Sequence, residues 1–195
     1  MSSKRWKTTG SPFSSRVAQW TQPGIIKAIQ RGTITLANGQ LTNTATITTV
    51  VPANTRLAYL GNDTANNGAG GTGASDCVVR IDLTNATTVT ATRLSSTDAD
   101  IVSYEVIEYV PGVLRTVQRG TVVATAAISG TATLATTLQS TTKATLDVLG
   151  WNNNIAIDAT QIFGRVALTN TTTVTLTRIG NTNNLTAGYQ VCEWY

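Results

Sequence analysis

Along residues 88–93, Val89, Ala91 and Arg93 alternate with Thr88, Thr90 and Thr92, and along 173–178, Val174, Leu176 and Arg178 alternate with Thr173, Thr175 and Thr177. Side chains on a strand point alternately to opposite faces, so each stretch predicts a strand with one buried face and one face covered by threonine. Just before them, Leu83-Thr84-Asn85-Ala86-Thr87 and Leu168-Thr169-Asn170-Thr171-Thr172 predict turns, with asparagine tolerating a left-handed backbone. About six to eight strand candidates recur in each half of the chain at roughly ten-residue spacing, and no stretch keeps helical periodicity over three turns. The pattern predicts an all-β protein built of antiparallel β-sandwiches, jelly-roll or Ig-like in kind.

The two matching stretches belong to a longer duplication. Ile29-Gln30-Arg31-Gly32-Thr33-Ile34 returns as Val117-Gln118-Arg119-Gly120-Thr121-Val122, and Thr44-Ala45-Thr46-Ile47 returns as Thr131-Ala132-Thr133-Leu134. Arg80-Ile81-Asp82-Leu83-Thr84-Asn85 returns as Arg165-Val166-Ala167-Leu168-Thr169-Asn170, and Tyr104-Glu105-Val106-Ile107-Glu108-Tyr109 as Tyr189-Gln190-Val191-Cys192-Glu193-Trp194. Val110-Pro111-Gly112-Val113 punctuates the junction. The chain therefore divides into an extended arm, residues 1–28, a first sandwich, 29–110, and a second, 113–195.

Composition narrows the chemistry. Only 12% of the 195 residues are charged, against 41% hydrophobic, and threonine supplies about one residue in five. There is no histidine, which removes the commonest general base and metal ligand, and two cysteines alone cannot build a structural zinc site. These absences point away from an enzyme and from any cofactor or metal. No apolar run approaches the roughly 18 residues of a membrane span, and no apolar segment follows the basic N-terminus, so neither a membrane anchor nor a secretion signal is expected.

Charge is unevenly placed. Lys4, Arg5, Lys7, Arg16 and Lys27 lie in residues 1–28 with no acid, while the rest of the chain carries nine basic and ten acidic side chains. Trp6, Phe13 and Trp20 are interleaved with these charges. A basic arm with aromatics suits docking on an acidic surface. Lys4, Arg5, Trp6, Lys7, Phe13, Arg16 and Trp20 are therefore the candidate partner-docking residues. Five charges without a fold are too few for nucleic acid to be the expected partner.

Other motifs resolve into structure. Gly68-Ala69-Gly70-Gly71-Thr72-Gly73 has the G-x-G-x-x-G spacing, but a strand rather than a helix follows it, so it predicts a surface loop. Asp98 with Asp100, and Glu105 with Glu108, are the carboxylate pairs a glycosidase would need. Glu108 recurs as Glu193 and Arg93 as Arg178, however, which predicts a repeated Arg–Glu ion pair instead. The Thr-x-Thr runs resemble ice-binding surfaces only superficially, since this repeat is nearly 90 residues long. Asn62, Asn85, Asn170 and Asn184 head Asn-x-Thr sequences and read as turn residues without glycans. Cys77 and Cys192 occupy non-equivalent positions and are expected as free, buried thiols. Trp151, with Asn152 and Asn153 beside it, could stack on a sugar, making these the candidate glycan contacts. Trp194 matches Tyr109 and is expected to pack inside.

Taken in order, the repeated pieces resemble a β-sandwich module of tailed-bacteriophage virion proteins. The likeness rests on Ile29-Gln30-Arg31-Gly32-Thr33-Ile34, Thr44-Ala45-Thr46-Ile47, Leu83-Thr84-Asn85 with the strand through Arg93, Tyr104-Glu105-Val106-Ile107-Glu108-Tyr109, and their counterparts in 117–195. The resemblance implies a non-enzymatic structural protein, a head decoration, neck or tail-fibre component, assembled in the host cytoplasm and resident in the virion. It further implies other capsid or tail proteins as partners and a homo-oligomer, with a trimer favoured because it would present six similar modules. The alternative expectation is a receptor-binding adhesin module that recognises host surface glycans.

Overall fold

The computed structural model describes residues 24–65, 78–94, 98–153 and 162–195. These form an all-β structure of twelve strands. The first six are β1 (Ile26–Leu36), β2 (Thr42–Thr46), β3 (Thr55–Ala65), β4 (Arg80–Asn85), β5 (Thr88–Thr92) and β6 (Ala99–Tyr109). The second six are β7 (Leu114–Ala124), β8 (Ser129–Thr133), β9 (Ala144–Asn153), β10 (Arg165–Asn170), β11 (Thr173–Thr177) and β12 (Leu185–Trp194).

The duplication in sequence is a duplication in topology. In the first half β1-β6-β3 and β2-β5-β4 are antiparallel three-stranded arrays, and in the second β7-β12-β9 and β8-β11-β10 repeat them. The register repeats as well: Arg80 faces Thr92 as Arg165 faces Thr177, and Thr55 faces Glu108 as Ala144 faces Glu193. Each half buries its period-two apolar residues between its two arrays. Ile34, Leu36, Leu57, Ile81, Val89, Ala91, Val102 and Val106 form the first core, and Val122, Ala124, Val174, Leu176, Leu185, Ala187 and Val191 belong to the second.

Several repeated letters have visible causes. Gly32 faces Tyr104 and Gly120 faces Tyr189, and a Cβ on either glycine would stand 2.6 or 2.8 Å from the tyrosine oxygen. The glycine of each Gln-Arg-Gly-Thr motif is thus the seat of the tyrosine in each Tyr-x-Val motif. The glutamine beside it clamps a loop backbone at both ends: Thr48 N donates to Gln30 Oε1 at 2.7 Å while Gln30 Nε2 donates to Thr48 O at 3.0 Å, and Gln118 does the same with Thr136. The expected turns are present. The Asn85 and Asn170 side chains shape them by accepting from the backbone N–H of Thr87 and Thr172, both at 2.8 Å. Neither asparagine adopts the left-handed backbone anticipated for it; among the described residues the positive-φ residue outside glycine is Ala126. Asn62 also departs from expectation, lying within β3 rather than in a turn.

The arm ends earlier than the sequence suggested. β1 starts at Ile26, so Ile26, Lys27 and Ala28 belong to the first sheet, and Lys27 Nζ lies 2.9 Å from Glu108 Oε1. Lys4, Arg5, Trp6, Lys7, Phe13, Arg16 and Trp20 lie outside the described residues, as do Cys77 and the glycine run of 68–73. No helix among the described residues is long and apolar enough to cross a membrane.

Candidate functional site

Of the sequence-predicted side chains, Trp151, Asn152 and Asn153 lie at the junction of the two halves. There β4 and β9 pair at Arg80 and Gly150, which joins β2-β5-β4 and β9-β12-β7 into one six-stranded sheet. The pairing is made possible by a bulge at Leu149-Gly150, where β9 steps out of register with β12. Gly150 takes φ +94°, and a Cβ there would fall 2.1 Å from Val79 O, so only glycine fits. The bulge turns Leu149 away from its own half and into the core of the first, where it is 1% exposed.

Around this plug the contact is polar and well paired. Arg56 Nε and Nη2 reach Asp147 Oδ2 and Oδ1 at 2.8 and 2.6 Å, a bidentate pair. Gln190 accepts from Leu57 N at 3.0 Å and donates to Leu57 O at 3.2 Å, satisfying an edge of β3 that no strand covers. Arg119 Nε donates to Gln190 Oε1 at 2.8 Å and its Nη2 donates to Thr55 O. Burial pushes the Arg119 guanidinium down from its ordinary range, whereas the hydrogen bond to Asp147 raises that of Arg56. Near the linker, Ile107, Tyr109, Leu114 and Cys192 form a small apolar cluster in which the Tyr109 and Trp194 rings meet edge to face at 5.3 Å. Trp194 therefore packs, partly buried, against this cluster beside Tyr109, its match in the first half.

The candidate glycan contacts lie at this junction. Asn152 and Asn153 are 4% and 0% exposed, and the Asn152 amide donates to Thr92 O of the first half at 2.8 Å. Trp151 is half-buried against the second core and against Val78 and Ile162, with its ring edge to face with Phe163 at 6.4 Å. The two asparagine side chains are thus taken up by the junction, while Trp151 stays partly exposed at its edge.

The expected Arg–Glu pairs are also replaced. Arg93 lies 2.7 Å from Asp100, both fully buried, and donates besides to Gln40 O and Ala37 O, each at 2.8 Å. Arg178 meets no acid among the described residues: it donates to Ala127 O at 2.9 Å, to Ala124 O at 3.1 Å and to Asn183 O, and Leu185 stands where Asp100 does in the first half. Glu108 and Glu193 do share a role, in which each caps a loop. Glu108 accepts from Val51 N at 3.0 Å, and Glu193 from Gln139 N at 2.6 Å and Ser140 N at 3.0 Å. Glu105 pairs with Arg31. The candidate catalytic carboxylates Asp100, Glu105 and Glu108 are thus each engaged by a cation of the fold. Among the described residues no three His, Cys, Asp or Glu side chains gather into a metal-binding group.

Cys192 is a buried free thiol whose ionisation is pushed up to about 12, chiefly by burial, with the Asp147 charge adding to it. Because the thiolate is the reactive form, a Cys77→Ser variant is expected to leave a thiol unreactive toward an aromatic disulfide reagent at pH 8. Full reaction should appear on denaturation. Rapid titration of the native variant would contradict the burial of this cluster.

Comparisons against known proteins return no matching family model, no matching curated relative and no matching solved structure.

Proposed function

We propose that the chain is a non-enzymatic structural protein of a tailed-phage virion, a capsid-decorating, neck or tail component that docks through its basic N-terminal arm. The observation that supports this most is how the polar side chains of the body are used. Arg93, Asp100, Glu108, Gln118, Gln190 and Glu193 are buried and engaged in holding loops and strands, and Arg56 with Asp147 bonds one half to the other. A body built this way favours rigidity and lasting attachment over turnover. The residues best suited to attachment, Lys4, Arg5, Trp6, Lys7, Phe13, Arg16 and Trp20, precede it; each aromatic would bury roughly 150–250 Å² on docking. Other capsid or tail proteins are the partners this reading calls for, and the virion is its location.

The test is recovery of the chain from purified particles. Tailed particles isolated on a density gradient from cells carrying its gene should retain the protein at a fixed copy number through washing. Protein found only in the soluble lysate, with none on the particles, would refute the reading.

A further inference from the structure

The contact between the halves is head to tail: the β3–β4 side of the first half meets the β9–β12 face of the second. Such a heterologous contact leaves one unmatched surface at each end of the pair. On the first half, the counterparts of the covering face are open. Leu60 occupies the same bulge as Leu149 yet is 57% exposed, and Ile101 beside it on β6 is exposed too. With Gly61, Asn62, Asp63 and Ser103 they line a surface depression of about 310 Å³. On the second half, the counterparts of the covered side are incompletely buried. Leu57, Ile81 and Leu83 lie inside the first core, but the equivalent Leu146, Val166 and Leu168 are only half-buried, and Arg165, the counterpart of Arg80, is exposed on the edge strand β10.

We propose that these are the two faces of one interface between chains: the Leu60–Asp63 depression of one copy receives the Arg165 edge of a second copy, as the Leu149 bulge meets Arg80 within one. The lining corresponds position by position. Arg80 lays its stem across Gly188, where a Cβ would stand 2.8 Å from Arg80 Cγ and 3.2 Å from Leu149 Cβ, and the counterparts of Gly188 and Leu149 are Ser103 and Leu60 of the depression. Asn152 reaches Thr92 O, and Thr92 is the residue paired with Arg80. The counterpart of Asn152 is Asp63, and Thr177 pairs with Arg165 in the same register. Docking therefore brings the exposed Asp63 carboxylate beside the exposed Arg165 guanidinium, an ion pair at the place where the junction within one chain has Asn152 and Arg80.

The contact between chains is the weaker of the two. Ala58 and Thr145 stand where Asp147 and Arg56 form their bidentate pair, and Ser103 carries a Cβ that Gly188 lacks, so the Arg165 stem must shift. Assembly is accordingly reversible with concentration. Three copies closing a ring would place six like modules around its axis, whereas a rotation that does not close would give a filament.

The test is sedimentation velocity on the full chain across a range of concentrations, with Asp63→Arg, Arg165→Asp and the double reversal. Wild type is expected to form concentration-dependent oligomers, each single reversal to weaken association about tenfold or more, and the double reversal to restore it. Thermal unfolding of each variant checks that these surface changes leave the fold intact, and Leu60→Glu offers a second disruption at the same site. A wild type that stays monomeric at every concentration would overturn the proposal. So would assembly indifferent to both reversals, or a double variant no better than the singles.

Discussion

Replacing Arg93 by methionine is expected to destabilise the protein by about 3–5 kcal/mol, the cost of leaving one partner of a buried ion pair uncompensated. Arg93 and Asp100 are both 0% exposed, and the three groups that Arg93 serves, Asp100, Gln40 O and Ala37 O, gather beneath the β1–β2 loop. The same change at Arg178 is expected to cost less, about 1–3 kcal/mol, because it strands carbonyl oxygens but no charge. Arg178 already keeps Nη1 without a hydrogen-bond partner among the described residues. Adding Asp100→Leu to Arg93→Met should return a substantial part of the loss by removing the orphaned carboxylate. Urea unfolding of the three variants reads the difference directly. Equal losses at Arg93 and Arg178 would show that the Asp100 pair is not what separates the two halves energetically.

Leu149→Ala is expected to cost about 2–5 kcal/mol, the range for emptying a well-packed leucine site, while Leu60→Ala should stay within about 0.5 kcal/mol. The two leucines occupy equivalent bulge positions, one 1% and the other 57% exposed. The contrast arises because the β9 bulge enters the first core, whereas no part of the described chain enters the second in the same way. Since Leu149 comes from the second half and its neighbours from the first, its loss should also loosen the junction and raise proteolysis at Val110–Val113. Similar stability losses for both alanine variants would contradict this asymmetry.

Where a feature depends on local pattern, it was legible in the sequence. The alternation through Val89 and Ala91, and through Val174 and Leu176, places four residues that are fully buried, and the repeated segments correspond in strand order and register. Features that depend on what lies across the junction were not legible. Trp151-Asn152-Asn153 reads as an exposed polar-aromatic loop because nothing local signals that the first half covers it. Arg93 and Glu108 both recur and so read as a pair, but the partner of Arg93 is Asp100, which does not recur: the second half has Arg178 with Leu185 at the position of the acid. The Leu60–Leu149 pair is the clearest case. The two residues share residue type and bulge, and only their order in the chain decides which one is buried. The start of β1 is hidden for a simpler reason: in sequence Lys27 reads with the basic N-terminal residues, whereas its charge lies against Glu108.

In the function proposed above, the duplicated body is held to the particle by its arm. The measurement that tests it most directly is rebinding, to particles stripped of this component, of the full chain against a form lacking residues 1–23, which leaves β1 intact. The account predicts a truncated body that keeps its unfolding midpoint and no longer attaches. A truncated body that attaches as well as the full chain, or that binds host cells instead, would contradict it and move recognition onto the sandwiches.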